Sequence, residues 1–187
     1  TLEQITHITI SRDPKANFYK KIIHSLKHSI SLSSISDRLS NFKQIRSVKA
    51  ELARNFGLRK SDIKAKVHNI EHHRSHIASS FFASGFNSSA ILSIDGFGDF
   101  TSTMSAIGNI NQFEVLDTVN YPHSLGVFYT TVTQFLGFPN YGDEYKVMGL
   151  APYGKPKYKK IIYDNLIDVK EDGTFRLNLN YFNYATG

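Results

Sequence analysis

The 187-residue sequence contains no cysteine at all. That absence excludes disulfide frameworks, thiolate metal sites and cysteine nucleophiles, so any metal must be held by nitrogen and oxygen donors. Long hydrophobic runs are missing too. No stretch approaches the ~18 uninterrupted apolar residues of a membrane span. The opening TLEQITHITI lacks a charged segment followed by an apolar one, so a cytoplasmic protein without a membrane partner is expected. Internal repeats and low-complexity tracts are absent, and at 20% the charged fraction is too low for a disordered solvating chain. What is present is enough apolar material for a core: 41% hydrophobic and 13% aromatic residues. One domain, or one part of a larger multi-lobed enzyme, is the expectation.

The net charge of +6 points to nucleic acid or phosphate ligands only until its location is read. Residues 1–70 hold 14 Lys and Arg against 5 Asp and Glu, whereas residues 71–187 hold 8 against 11. The basic excess is spread over two helix-like segments of the first third, which reads as a solvated helix surface rather than a nucleic-acid face.

Ile8 and Ile10 alternate with polar residues and Asp13-Pro14 closes the run, predicting a short strand and a turn. Phe18, Ile22, Ile23, Leu26 and Ile30 recur at helical spacing. Leu39, Phe42, Ile45, Val48 and Leu52 mark a second helix ended by Gly57. Val67 to Ile70 predicts a strand, HHRSHIASSFFASG a helix, and AILSID a buried central strand ending at Asp95. Thr101 to Ile107 and Gln112 to Val119 flank Gly108-Asn109, predicting an antiparallel meander turning there. Ser124 is placed to cap a helix running to Gly137. YGDEYKVMGLAPYGKP reads as a long irregular loop, followed by a helix over Tyr158 to Leu166, a turn at Glu171-Asp172-Gly173 and a strand in TFRLNLNYF. The pattern is mixed α/β.

His72 and His76 are four residues apart and share a face if their segment is helical, so two imidazoles can reach one ion. Asp95, at the end of the following strand, could complete the set, since ligands of open α/β sheets gather at such ends. His73 points elsewhere. A solvated helix start with Glu71 as partner is the alternative. A metalloprotease is excluded because the residue after His72 is His73, not the glutamate that serves as general base. Asp95-Gly96-Phe97-Gly98-Asp99 could be a phosphate-binding hairpin, in which Gly96 and Gly98 admit backbone N–H groups and the aspartates hold a cation, or simply a tight turn. Lys146 could meet a phosphate or carbamoyl oxygen, or pair with an acid to brace a loop.

In this order, HHRSHIASSFFASGF, ILSIDGFGDFTS, PHSLGVFYTTVTQFLGF and GDEYKVMGLAPYGKP resemble the O-carbamoyltransferases of nodulation-factor and antibiotic biosynthesis, strongly over residues 67–156. The resemblance implies an actin-like ATPase (ribonuclease H-like) fold, a mixed sheet flanked by helices. It also implies a two-stage reaction, in which carbamoyl phosphate and ATP give a carbamoyl adenylate whose carbamoyl group passes to a hydroxyl of a sugar or antibiotic-like acceptor. By position it assigns His72, His76 and Asp95 to a divalent metal, Fe(II), and Gly96, Gly98 and Asp99 to the nucleotide phosphates. Ser124, Gly126, Glu144, Lys146 and Gly149 are assigned to the same cleft. A homodimer is allowed. The family's opening His-Asp-Ser strand, a late aspartate ligand, an adenine-binding block and a second, carbamoyl-phosphate-processing domain find no counterpart in residues 1–187. An incomplete N-terminal domain, inactive alone, is therefore expected. A non-catalytic actin-like module binding nucleotide or tRNA is the alternative.

Overall fold

The computed structural model describes residues 2–27, 48–182 and 184, and the chain divides into two compact units, Thr1–Glu71 and His72–Gly187. In the first, strand β1 (His7–Ile10) and strand β2 (Lys66–Asn69) pair in parallel, with Ile8 opposite Val67. Helix α1 (Phe18–Lys27) and helix α2 (Val48–Asn55) lie between them in sequence. The predicted positions from Ile30 to Ile45 lie outside the described residues. The apolar face of α2 buries Ala53 with Ile63 and Ala65, and Ile8, Leu52 and Leu58 close around them. Gly57 leaves this helix with φ +66°, a left-handed value that costs glycine nothing.

The second unit begins with helix α3 (His72–Ser84), which packs on strands β3 (Ser88–Gly98) and β4 (Thr101–Asn109). Strand β5 (Gln112–Asn120) completes an antiparallel sheet of order β3-β4-β5. Ile77, Met104 and Ala106 form its core with Ile91, Phe113 and Val115. The sheet differs from expectation in two respects. AILSID is not a buried central strand: β3 pairs with β4 alone among the described strands, and it alternates faces, leaving Leu92 and Ile94 exposed. The β4–β5 turn falls on Ile110 and Asn111, because Gly108 and Asn109 pair with Phe113 and Gln112.

Register breaks between Ile94, opposite Thr103, and Gly98, opposite Thr101, so three residues of β3 face the single Ser102. Such a bulge bends a strand and re-aims its side chains; here the re-aimed residues are Asp95 to Phe97. The hairpin then turns through Asp99 (φ 51°) and Phe100 (φ 81°). Positive φ at both central residues suits the strand twist but strains a phenylalanine. The tilted contact of the Phe100 and Tyr121 rings, 5.6 Å between centroids, and the bond from Tyr121 N–H to the Phe100 carbonyl hold the turn in place.

Ser124 caps helix α4 (Leu125–Phe135) as the sequence predicts, accepting from the Val127 N–H at 3.1 Å. The expected loop after Tyr141 is instead largely helical: helix α5 (Glu144–Leu150) runs directly into a 3-10 turn at Ala151–Tyr153. Glu144 in its first turn favours the helix N-terminus, and Tyr145, Val147 and Met148 are tolerated helix formers that the flanking glycines concealed. Helix α6 (Lys159–Asn165) leads to a hairpin of strands β6 (Ile167–Val169) and β7 (Phe175–Leu177). TFRLNLNYF is thus a strand only at its start, because the Asn178 side chain accepts from the Asn180 N–H and begins a 3-10 turn. Phe175 and Leu177 are buried with Val119, Leu125 and Phe128. No described helix is long and apolar enough to cross a membrane.

Candidate metal centre

Helix α3 brings His72 and His76 one turn apart, and the β3 bulge turns Asp95 towards them. The His72 Nε2 atom lies 2.8 Å from Asp95 Oδ2 and 3.0 Å from His76 Nε2, and His76 Nε2 lies 3.5 Å from the same carboxylate oxygen. The single proton that His72 Nε2 can carry cannot serve both of its short contacts. A cation among the three would serve these contacts together. Donors ~2.1 Å from one ion stand about 3.0 Å apart in octahedral and about 3.4 Å apart in tetrahedral geometry, and the three separations lie close to that range. Among the described residues these are the three whose donor atoms gather in this way. Burial pushes the Asp95 carboxyl up, but the His72 ring and the Gly96 N–H bonded to it, with the two imidazoles nearby, outweigh burial and hold it below the ordinary carboxylate range. An ionised carboxylate with two imidazoles is a donor set suited to a divalent transition ion. His76 is half exposed.

The neighbouring His73 faces inward and is fully buried. The Thr101 carbonyl 3.1 Å from its Nε2 can only accept, so the proton sits on Nε2, and Nδ1 accepts from the Ser93 hydroxyl at 2.8 Å. Nothing in the sequence signals these two partners, which lie 20 and 28 positions away.

The DGFGD stretch is tied to the same centre. Asp95 Oδ1 accepts from the Gly96 N–H, and Asp99 Oδ2 accepts from the His72 N–H at 3.0 Å. A Cβ on Gly98 would lie 2.0 Å from His72 Cδ2, whereas one on Gly96 would meet nothing within 4 Å. Ser124 Oγ donates towards the Gly96 and Asp95 carbonyls at 2.8 and 3.1 Å. Gly126 lets α4 approach so closely that a Cβ there would sit 2.6 Å from the Asp95 and Gly96 backbone.

Glu144, Lys146 and Gly149 sit on α5, and the contacts of the two charged residues run elsewhere. Thr130 donates to the Glu144 carboxylate and lowers its pKa, and the Tyr129 hydroxyl donates to the Glu144 carbonyl. Lys146 pairs with Asp143 at 2.7 Å; its hydrogen bond holds the Asp143 carboxyl low, and Asp143 in turn accepts from the Asn140 N–H. Buried Asp143, the acid that Lys146 pairs with, was not singled out from the sequence. A Cβ on Gly149 would meet nothing within 4 Å.

Residues 9–187 match the family described as carbamoyltransferase N-terminus. The chain is 53% identical over 117 residues to an uncharacterised protein of Synechocystis sp., covering 63% of this chain and 19% of that protein. It is 38% identical over 129 residues to nodulation protein NolNO of Sinorhizobium fredii, covering 69% of this chain and 18% of that one. Nodulation protein NolO of Bradyrhizobium diazoefficiens is also 38% identical, over 111 residues, covering 59% of this chain and 20% of that protein. The chain thus spans about a fifth of the length of the curated relatives it matches. Residues 72–99, which hold the three donors and the hairpin that grips them, lie inside the matched span, and the chain belongs to the carbamoyltransferase N-terminal family.

Proposed function

We propose that this chain carries the metal-binding part of an ATP-dependent O-carbamoyltransferase, in a domain of actin-like architecture within a longer, two-domain protein. The observation that carries the reading is the convergence of His72, His76 and Asp95 beside the bulged end of β3. Carbamoyl phosphate, water and ATP would give carbamoyl adenylate with release of phosphate and pyrophosphate. The hydroxyl of a sugar or antibiotic-like acceptor would then attack the carbamoyl carbon and expel AMP. A divalent ion, with Fe(II) the choice that the family resemblance favours, supplies Lewis acidity and neutralises oxyanions when bound. His72 and His76 would hold it through Nε2 and Asp95 through its carboxylate. The open side of Gly96 leaves room for a phosphate beside the centre, and Ser124 with Gly126 holds that backbone in place. Glu144, Lys146 and Gly149 would line the cleft through α5, positioned by Thr130 and Asp143.

The test is acceptor carbamoylation by the full-length protein with carbamoyl phosphate, ATP and Fe(II), read together with AMP release. His76→Ala and Asp95→Ala should lower turnover at least 100-fold without unfolding the protein. Wild-type turnover in both variants would remove the metal centre from the reaction.

A further inference from the structure

A metal-binding imidazole depends on the groups that fix its ring, and such partners are worth about 10–100-fold in metal affinity. Two residues of the β3–β4 hairpin act on His72 without offering it a donor atom. Gly98 leaves the space in which His72 lies: an added Cβ would stand 2.0 Å from Cδ2, 2.1 Å from Cγ and 2.5 Å from Cβ of that histidine. Because the His72 Cβ itself is in the way, rotating the ring cannot relieve the clash; the first turn of α3 would have to move. No left-handed φ is required at position 98, and the three atoms nearest to an added Cβ all belong to His72. Asp99 holds the opposite side, its Oδ2 accepting from the His72 backbone N–H at 3.0 Å, one of the orphan donors at the start of α3. The next residue, His73, is pinned to Ser93 and Thr101 on the same two strands.

We propose that Gly98 and Asp99 are positioning residues for the His72 donor: the hairpin sets the start of α3 so that His72 Nε2 faces both Asp95 and His76. The proposal rests on the divalent-ion reading above and assigns to metal geometry two residues that the family resemblance would assign to the nucleotide phosphates.

The experiment is a Co(II) titration of the metal-free full-length protein, following the ligand-field absorption bands, with thermal unfolding recorded for every variant. The unmodified protein should bind one Co(II), and His76→Ala and Asp95→Ala should lose it. Gly98→Ala and Asp99→Ala should weaken binding about 10–100-fold and change the band pattern. Asp99→Asn, whose amide oxygen still accepts from the His72 N–H, should bind like the unmodified protein. If the unmodified protein takes up no Co(II), or if His76→Ala and Asp95→Ala bind as tightly as it does, the metal reading fails and this proposal with it. If those two variants lose the ion while Gly98→Ala and Asp99→Ala keep unmodified affinity and spectrum, the centre stands and the positioning role is overturned. Should Gly98→Ala not fold, the Asp99 pair decides, and equal affinities for Asp99→Ala and Asp99→Asn overturn the proposal.

Discussion

Consecutive histidines on one helix do opposite work. His72 turns Nε2 towards Asp95 and His76, while His73 spends both ring nitrogens inside the protein. Replacing His73 with phenylalanine would strand the Ser93 hydroxyl and remove the bond to the Thr101 carbonyl, and a buried unsatisfied group costs about 1–3 kcal/mol. Chemical denaturation of His73→Phe should show a loss of that order, whereas His76→Ala, at a half-exposed position, should unfold close to wild type. His123 supplies a pH test. Its Nδ1 accepts from the Leu177 N–H at 3.1 Å, and burial, with a smaller contribution from Arg176, holds its pKa below the ordinary 6.5. The unfolded chain therefore takes up a proton near pH 6.5 that the folded state refuses, and stability is lost as pH falls through that value. The stability difference between wild type and His123→Gln should shrink between pH 7.5 and 5.5. A difference independent of pH would show that His123 is not held neutral.

At the scale of elements, the bulge of β3 and the start of α4 form one device. Ser124 caps α4 and bonds the bulged carbonyls with a single hydroxyl, and Gly126 permits the close contact. Gly126→Ala must push α4 away from Asp95, an overpacking that costs about 1–3 kcal/mol. Urea unfolding should show the loss, and an unchanged midpoint would mean that the contact is slack. Much of this was legible in the sequence. The four-residue spacing of His72 and His76 needs only a helix to become a pair, and Ser124 before an apolar helical pattern is a cap by its chemistry. The bulge was not legible, since it arises from pairing with β4 that no local pattern encodes. Nor was the exposed face of β3, because a continuous apolar run looks the same whether one face or two are covered. Helix α5 was hidden by Gly142, Gly149 and Gly154, read as loop residues although Gly149 lies within the helix.

On the scale of the whole molecule, the three donors and the residues that hold them all belong to the unit His72–Gly187. The unit Thr1–Glu71 has its own core around Ala53, Ile63 and Ala65. The central claim is that one divalent ion sits among His72, His76 and Asp95, and anomalous diffraction from crystals of the full-length protein loaded with Fe(II) tests it most directly. The account predicts a single iron peak ~2.0 to 2.2 Å from both Nε2 atoms and within bonding distance of the Asp95 carboxylate. Iron-loaded crystals with no peak there, or with iron bound only by other residues, would contradict it.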